Sequence, residues 1–237
     1  MKKITLKILI FFIFLNVDVN AQSLLPIKYG IKVGSNISSF ISSANNGVEN
    51  IDNSAITGLT GGFYMQIPLN DTWYLNPELV YIQKGADFTY DYTYNYPPNN
   101  GKDRYSTNNS IKLTYIGLNP TFSYKNSEKI SLNAGPSVAF MIGVDTSFTD
   151  KLISESIVSE IPNSAIYESE SLDLGFNLGI SYYISDNFLF DFSVSTGILS
   201  IGKVSKVINP GSSGNPEESN IYDLKNRSYT ISFGYLF

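Results

Sequence analysis

Through most of this chain apolar side chains recur at every second position, and no charged residue interrupts the apolar face. The C-terminus shows it most plainly. Tyr229, Ile231, Phe233, Tyr235 and Phe237 fall on one side, and Ser228, Thr230, Ser232 and Gly234 on the other. A period of two is the signature of a β-strand, because successive side chains leave a strand on opposite faces. Seven further segments repeat it, entered at Tyr29, Leu59, Trp73, Ile116, Ile130, Leu172 and Phe188. The segments are close to the 9–11 residues that a tilted strand needs to cross a bilayer. The expectation is eight strands.

The polar face decides what solvent touches the apolar one. A soluble, lipocalin-like carrier turns its apolar residues inward and a Lys/Glu-rich surface to water. Here the polar face is Gly, Ser, Asn and Thr, and charged residues are only 16% of the chain, against roughly 25% in an average soluble domain. Small neutral side chains suit a narrow, filled interior, and hydrocarbon suits the other side. A charge facing lipid at mid-depth costs about 2–4 kcal/mol. Connections also alternate in length. Residues 70–72, 125–128 and 185–187 are tight polar turns, whereas 41–54, 88–110, 145–171 and 203–226 are long. Aromatics gather at the span ends (Tyr29, Trp73, Tyr124, Tyr182, Phe188, Tyr235, Phe237), as an interfacial girdle requires. The predicted fold is all-β: an eight-stranded antiparallel transmembrane β-barrel with short periplasmic turns and long extracellular loops.

The N-terminus reads as a cleavable signal peptide over residues 1–21. Lys2, Lys3 and Lys7 precede an eight-residue apolar run, Ile8 to Leu15, and Val19-Asn20-Ala21 offers a cleavage site. Eight apolar residues are too few to span the membrane as a helix. Residues 22–237 then form the barrel domain. With Lys2, Lys3, Lys7 and Asp18 gone, 16 basic and 21 acidic residues fall to 13 and 20. An acidic chain is a poor partner for nucleic acid. The absence of His and Cys removes the usual catalytic triads, thiol chemistry and zinc sites. No enzyme activity and no cofactor are expected.

The few charges on the polar face recur at two heights. Lys32, Glu78 and Asp191 lie at similar distances from the short-turn end, and Lys84 and Asp173 lie nearer the other. Two ionic layers across the lumen are expected, with a gate or solute path as the functional alternative to a satisfied polar core. The pairing requires Lys32 to approach a carboxylate within about 8 Å, because exposed charges farther apart are screened. Outside the spans, the segment from Phe88 to Pro98 alternates Tyr90, Tyr92, Tyr94 and Tyr96 with small polar residues. This alternation predicts that the strand continues above the membrane, and such a row either packs across strands of an extended hairpin or binds glycan or protein by stacking and hydrogen bonding. The 145–171 loop carries six carboxylates against Lys151, at spacings that fit no defined calcium loop. The last loop, with its Asn209-to-Pro216 run, is expected to be the most mobile.

Several segments resemble those of the PorT-like family of outer-membrane beta-barrel proteins of Bacteroidota. They are Gly30 to Asn36, Pro77 to Ala86, Leu113 to Pro120, Ala134 to Val138 and Phe233 to Phe237. The resemblance implies that Phe233, Tyr235 and Phe237 act as the signal read by the barrel-assembly machinery. It carries over no catalytic motif. The partners expected are outer-membrane lipid, that machinery, and an unknown protein or glycan at the external loops. The functional expectation is a surface-interaction or structural barrel. Its rivals are an accessory of a secretion or gliding apparatus, and a small-solute channel.

Overall fold

A computed structural model describes residues 26–44, 52–96, 101–125, 127–153, 158–162, 165–208 and 217–237. The predicted signal segment and the 209–216 run lie outside these residues. The described chain forms eleven strands: β1 (Lys28–Ala44), β2 (Asp52–Pro68), β3 (Trp73–Tyr96), β4 (Gly101–Tyr124), β5 (Ile130–Ile153), β6 (Val158–Pro162), β7 (Ala165–Ser169), β8 (Leu172–Tyr183), β9 (Phe188–Gly197), β10 (Gly202–Ile208) and β11 (Glu217–Leu236). Eight of them pair in the order β1-β2-β3-β4-β5-β8-β9-β11, and β11 pairs back onto β1. Every pairing in the ring is antiparallel.

Closure follows from the backbone. Hydrocarbon offers no partner for an N–H or C=O, so a sheet that enters it must have no edge. The β1–β11 seam supplies the missing partners over an unbroken register from Gly30↔Leu236 to Ala44↔Tyr222. Close approach at the seam depends on glycine. A Cβ on Gly34 would stand 2.1 Å from the Ile231 carbonyl oxygen.

The apolar face points outward. Val33, Leu59, Phe63, Leu132, Phe140, Leu178 and Ile231 are all more than half exposed. From Tyr29 to Ile37 the outward side of β1 runs nine residues, which a tilted strand converts to about 20–25 Å of height. That matches the apolar band of such barrels. At the short-turn end the rings of Trp73 and Tyr124 lie 5.0 Å apart, as do those of Phe188 and Tyr235.

Two features extend the sequence reading. The ring strands do not stop at the band: β3, β4 and β5 each run 24 residues, the continuation of β3 being the one that the alternating Tyr row predicts, and β6, β7 and β10 add short strands in the two longest connections. The segments expected to be loops are therefore in large part paired sheet. The lumen, moreover, is not lined by small polar residues alone. Phe40, Val80, Ile82, Ala86, Phe88, Ile111, Leu113, Tyr115, Ala139, Ile201 and Leu224 form a buried apolar cluster inside the outer half. Tyr64, Tyr183, Leu189 and Leu236 form a smaller one at the periplasmic end.

The Gly34→Ala variant should weaken ring closure, with a loss of about 1–3 kcal/mol expected for an overpacked contact. Gly61→Ala is its control, since a Cβ there meets nothing nearer than 3.4 Å. Urea titration of the folded, heat-modifiable species in lipid vesicles reads both.

Candidate functional site: a charged lumen

Strand β1 aims Lys32 inward because Ile31 and Val33 claim the lipid side. Its ammonium stands 3.6 Å from Glu78 Oε2 on β3 and 3.8 Å from Asp191 Oδ2 on β9. These distances exceed the roughly 2.7–2.9 Å of a direct charge-assisted hydrogen bond, so Lys32 is shared between two carboxylates rather than tied to one. It also lies 4.7 Å from the Tyr64 ring centroid.

Neutral groups extend this layer around the wall. Ser181 Oγ donates to Asp191 Oδ2 at 2.6 Å, and Asn133 Nδ2 donates to Ser181 Oγ at 2.7 Å. Ser123 Oγ donates to Asn133 Oδ1 at 2.6 Å and accepts from Asn76 Nδ2 at 2.6 Å. The chain of contacts thus links β3, β4, β5, β8, β9 and β1. Low local dielectric strengthens each link, provided every member has a partner.

The upper layer is drier. Lys84 Nζ on β3 meets Asp173 Oδ2 on β8 at 3.0 Å, with both side chains at most 4% exposed. Asn226 Nδ2 on β11 donates to the same oxygen at 2.8 Å and to the Tyr115 hydroxyl at 3.1 Å. Apolar cluster residues surround this pair. The structure thus brings Lys32 together with Glu78 and Asp191, and Lys84 together with Asp173.

A cavity of about 60 Å³ lies between the layers, lined by Lys32, Glu78, Lys84, Asn119, Thr121 and Ser193 among others. At roughly 10–15 Å³ per water centre it has room for about five waters. Above it sits the apolar cluster. Below it Gln66 Nε2 donates to the Tyr183 hydroxyl at 2.8 Å, and the Lys125 ammonium caps the Tyr183 ring at 4.0 Å. Partial burial and the neighbouring Lys28 hold the Lys125 ammonium below the ordinary lysine range.

A third interior arrangement has no counterpart among the sequence-based expectations. The β2–β3 ladder is interrupted between Ala55 and Thr60, and β1 side chains serve the backbone freed there. Asn36 Nδ2 donates to the Gln83 carbonyl at 2.8 Å. Ser38 Oγ accepts from Gly85 N at 2.8 Å and lies 3.0 Å from the Gly85 carbonyl oxygen. Gly85 has a φ of 157°, and a Cβ there would strike the Ile111 carbonyl oxygen at 2.1 Å. The apolar clusters did have a sequence signal: runs such as Leu79-Val80-Tyr81-Ile82, apolar at both parities, in which every second residue must face the lumen.

The remaining predicted residues lie elsewhere. Phe233 and Tyr235 are on the outward side of β11, and Phe237 is 65% exposed. Its backbone N–H donates to the Tyr29 carbonyl at 2.9 Å, which fastens the C-terminus to β1. Tyr90, Tyr92, Tyr94 and Tyr96 occupy alternate positions on the outer part of β3, in register with Thr107, Tyr105, Asp103 and Gly101 of β4. Within the 145–171 segment, Glu168 and Glu170 are exposed, and no group of three or more carboxylates among the described residues is placed to hold a metal ion.

Residues 20–202 match the family described as outer membrane protein beta-barrel domain. The chain belongs to that family. It is accordingly an outer-membrane protein, and its long connections face the exterior. No curated protein matches it. Among solved structures it is similar to the neisserial surface protein NspA, at 13% identity and a TM-score of 0.45, over 90% of this chain and all of that one. It is similar to the attachment invasion locus protein Ail of Yersinia pestis, at 12% identity and a TM-score of 0.41, with the same coverage. The outer-membrane protease OmpT of Escherichia coli is 13% identical with a TM-score of 0.39, over 93% of this chain and all of that one.

Replacing Lys84 by Met strands a buried Asp173 carboxylate, and a loss of about 3–5 kcal/mol is expected. The double variant Lys84→Met/Asp173→Leu should regain most of it, because a well-packed apolar pair tolerates burial. Equilibrium urea unfolding in vesicles measures both, and equal loss in the two variants would refute the pairing energetics.

Proposed function

We propose that this barrel is a surface-interaction protein, which presents paired outer strands to a partner at the cell exterior and conducts no solute. One observation carries the reading. The β3–β4 ladder runs without a break from Trp73↔Tyr124 to Tyr96↔Gly101. From Asp87 to Tyr96 that is about 30 Å of sheet beyond the apolar band, at roughly 3.4 Å per residue. A chain that needed only to connect two spans has no use for a projection of this length. Its sequence, with Tyr at alternate positions beside Asp, Asn and Thr, suits recognition of glycan or protein by stacking with hydrogen bonding.

The lumen supports the second half of the reading. Eight strands leave an interior just wide enough for side chains, and buried apolar clusters lie toward both ends of the small polar chamber, which supports a closed lumen. The ionic layers serve as cross-braces of a packed interior rather than as a solute path. The narrower likeness to PorT-like proteins rests on the sequence segments named above, and it leaves a secretion or gliding accessory as the competing role. We read Phe233, Tyr235 and Phe237 as the assembly signal.

Two measurements test this. Planar-bilayer recordings should show no steady conductance, and an ohmic channel from the intact barrel would overturn the closed-lumen reading. Tyr90→Ser/Tyr92→Ser/Tyr94→Ser should abolish capture of a partner from the cell exterior while the heat-modifiable barrel persists. Capture that survives the triple change places recognition elsewhere. For assembly, Phe237→Ala should slow the appearance of folded barrel in cells several-fold, read by pulse labelling and semi-native electrophoresis.

A further inference from the structure

On the outward face of β11 the residues change character as the strand leaves the membrane. Going outward, Phe233, Ile231 and Tyr229 face lipid, and the next two outward positions are Arg227 and Lys225. Leu224, Asn226 and Ser228 are buried in the lumen, so alternation commits both cations to the outer surface. Arg227 is exposed and Lys225 is partly so. Among the described residues neither has a carboxylate within 4 Å.

Their surroundings are not those of an ordinary solvated surface. On one side, Arg227 and Lys225 pair with Ser39 and Ile41 of β1. On the other, Arg227 pairs with Thr196 of β9, and the bend that follows exposes Ile198 and Leu199, at 61% and 42%. Two cations are thus held at the top of an apolar strip, with apolar side chains beside them as well as beneath.

Other cations of this rim lie in register with a carboxylate on the adjacent strand. Lys112 stands directly across the β4–β5 ladder from Asp145. Lys203 is paired in register with Asp223 on one side and Glu168 on the other. Asp223 is the next outward position of β11 beyond Lys225, so Arg227 and Lys225 are the two charges of this face that adjoin the apolar strip, and the acidic side chain stands on their far side from the membrane.

We propose that this strip is a binding site for an anionic lipid of the outer leaflet. The headgroup phosphate sits on Arg227 and Lys225, and the acyl chains lie along Tyr229, Ile231 and Ile37. Guanidinium and ammonium are the groups that bind phosphate. Their position at the edge of an outward apolar strip selects a phosphate carried by a lipid over one free in water. Each cation near a charged membrane surface contributes about one hydrogen-bond's worth of attraction, so two together favour the headgroup by roughly thirtyfold.

The test uses the whole purified barrel in detergent micelles, with bisphosphorylated lipid A as probe and native mass spectrometry as readout. The wild type should retain the lipid, and Arg227→Gln/Lys225→Gln should bind it roughly thirtyfold more weakly. Lys112→Gln should bind as the wild type does. Lipid A stripped of both phosphates should bind the wild type and the double variant alike. Folding of each variant is read by heat-modifiable mobility; should the double variant not fold, Arg227→Gln alone should lose about fivefold. Equal retention by wild type and folded variant overturns the proposal, as does an equal loss in Lys112→Gln. Inorganic phosphate that displaces the lipid at millimolar concentration also overturns it, since the site would then read a free anion.

Discussion

The β1–β11 seam is the contact on which the rest of the molecule depends. Without it the two terminal strands would carry rows of unpaired amides into hydrocarbon, at several kcal/mol for each group. With it, every wall strand has two neighbours. Closure also sets the radius, the radius sets the lumen, and the lumen decides which side chains fit between the walls. The glycines on the inward faces, Gly34 above all, belong to this constraint, because they let neighbouring backbones approach where a methyl group would not fit.

Inside the wall, polarity is organised by depth rather than by strand. The lower layer spreads one ammonium over two carboxylates and a relay of Ser and Asn around much of the circumference. The upper layer is a single dry pair wrapped in apolar side chains. Buried ion pairs contribute little net stability against a well-packed apolar alternative, but breaking one partner is costly. The two layers thus fix the relative register of strands far apart in sequence: Lys84 and Asp173 are 89 positions apart, and Lys32 and Asp191 farther still.

Much of this was legible in the sequence because the bilayer enforces a strict code. Within the apolar band the outward positions of β1, β5 and β11 had to be uncharged and mostly apolar, and a two-residue period recorded them. The lumenal charges stood out for the converse reason, since each is an exception on a face of small neutral residues. What escaped had weaker signals. The apolar clusters at both ends of the lumen are hidden by alternation itself: Val80 and Ile82 read as members of the same greasy run as Leu79 and Tyr81, though they face the other way. The interruption opposite Gly85 depends on side chains of β1 reaching past β2, which no local pattern announces. The continuation of β3 was legible in its alternating Tyr row, whereas the outer part of β5 and the short β6, β7 and β10 were masked by polar composition, because outside the membrane a strand has no need to alternate apolar with polar.

The unbroken β3–β4 ladder also has a mechanical consequence. The projecting hairpin is not hinged to the barrel; its two strands are the staves of the wall itself. Tension applied near Tyr96 runs along those staves and loads their bonds to β2 and β5 in shear, where many amides resist together. A tether pulled sideways at a flexible loop would instead break its bonds singly, in succession. A protein held at this tip would therefore be anchored with the strength of the whole cylinder.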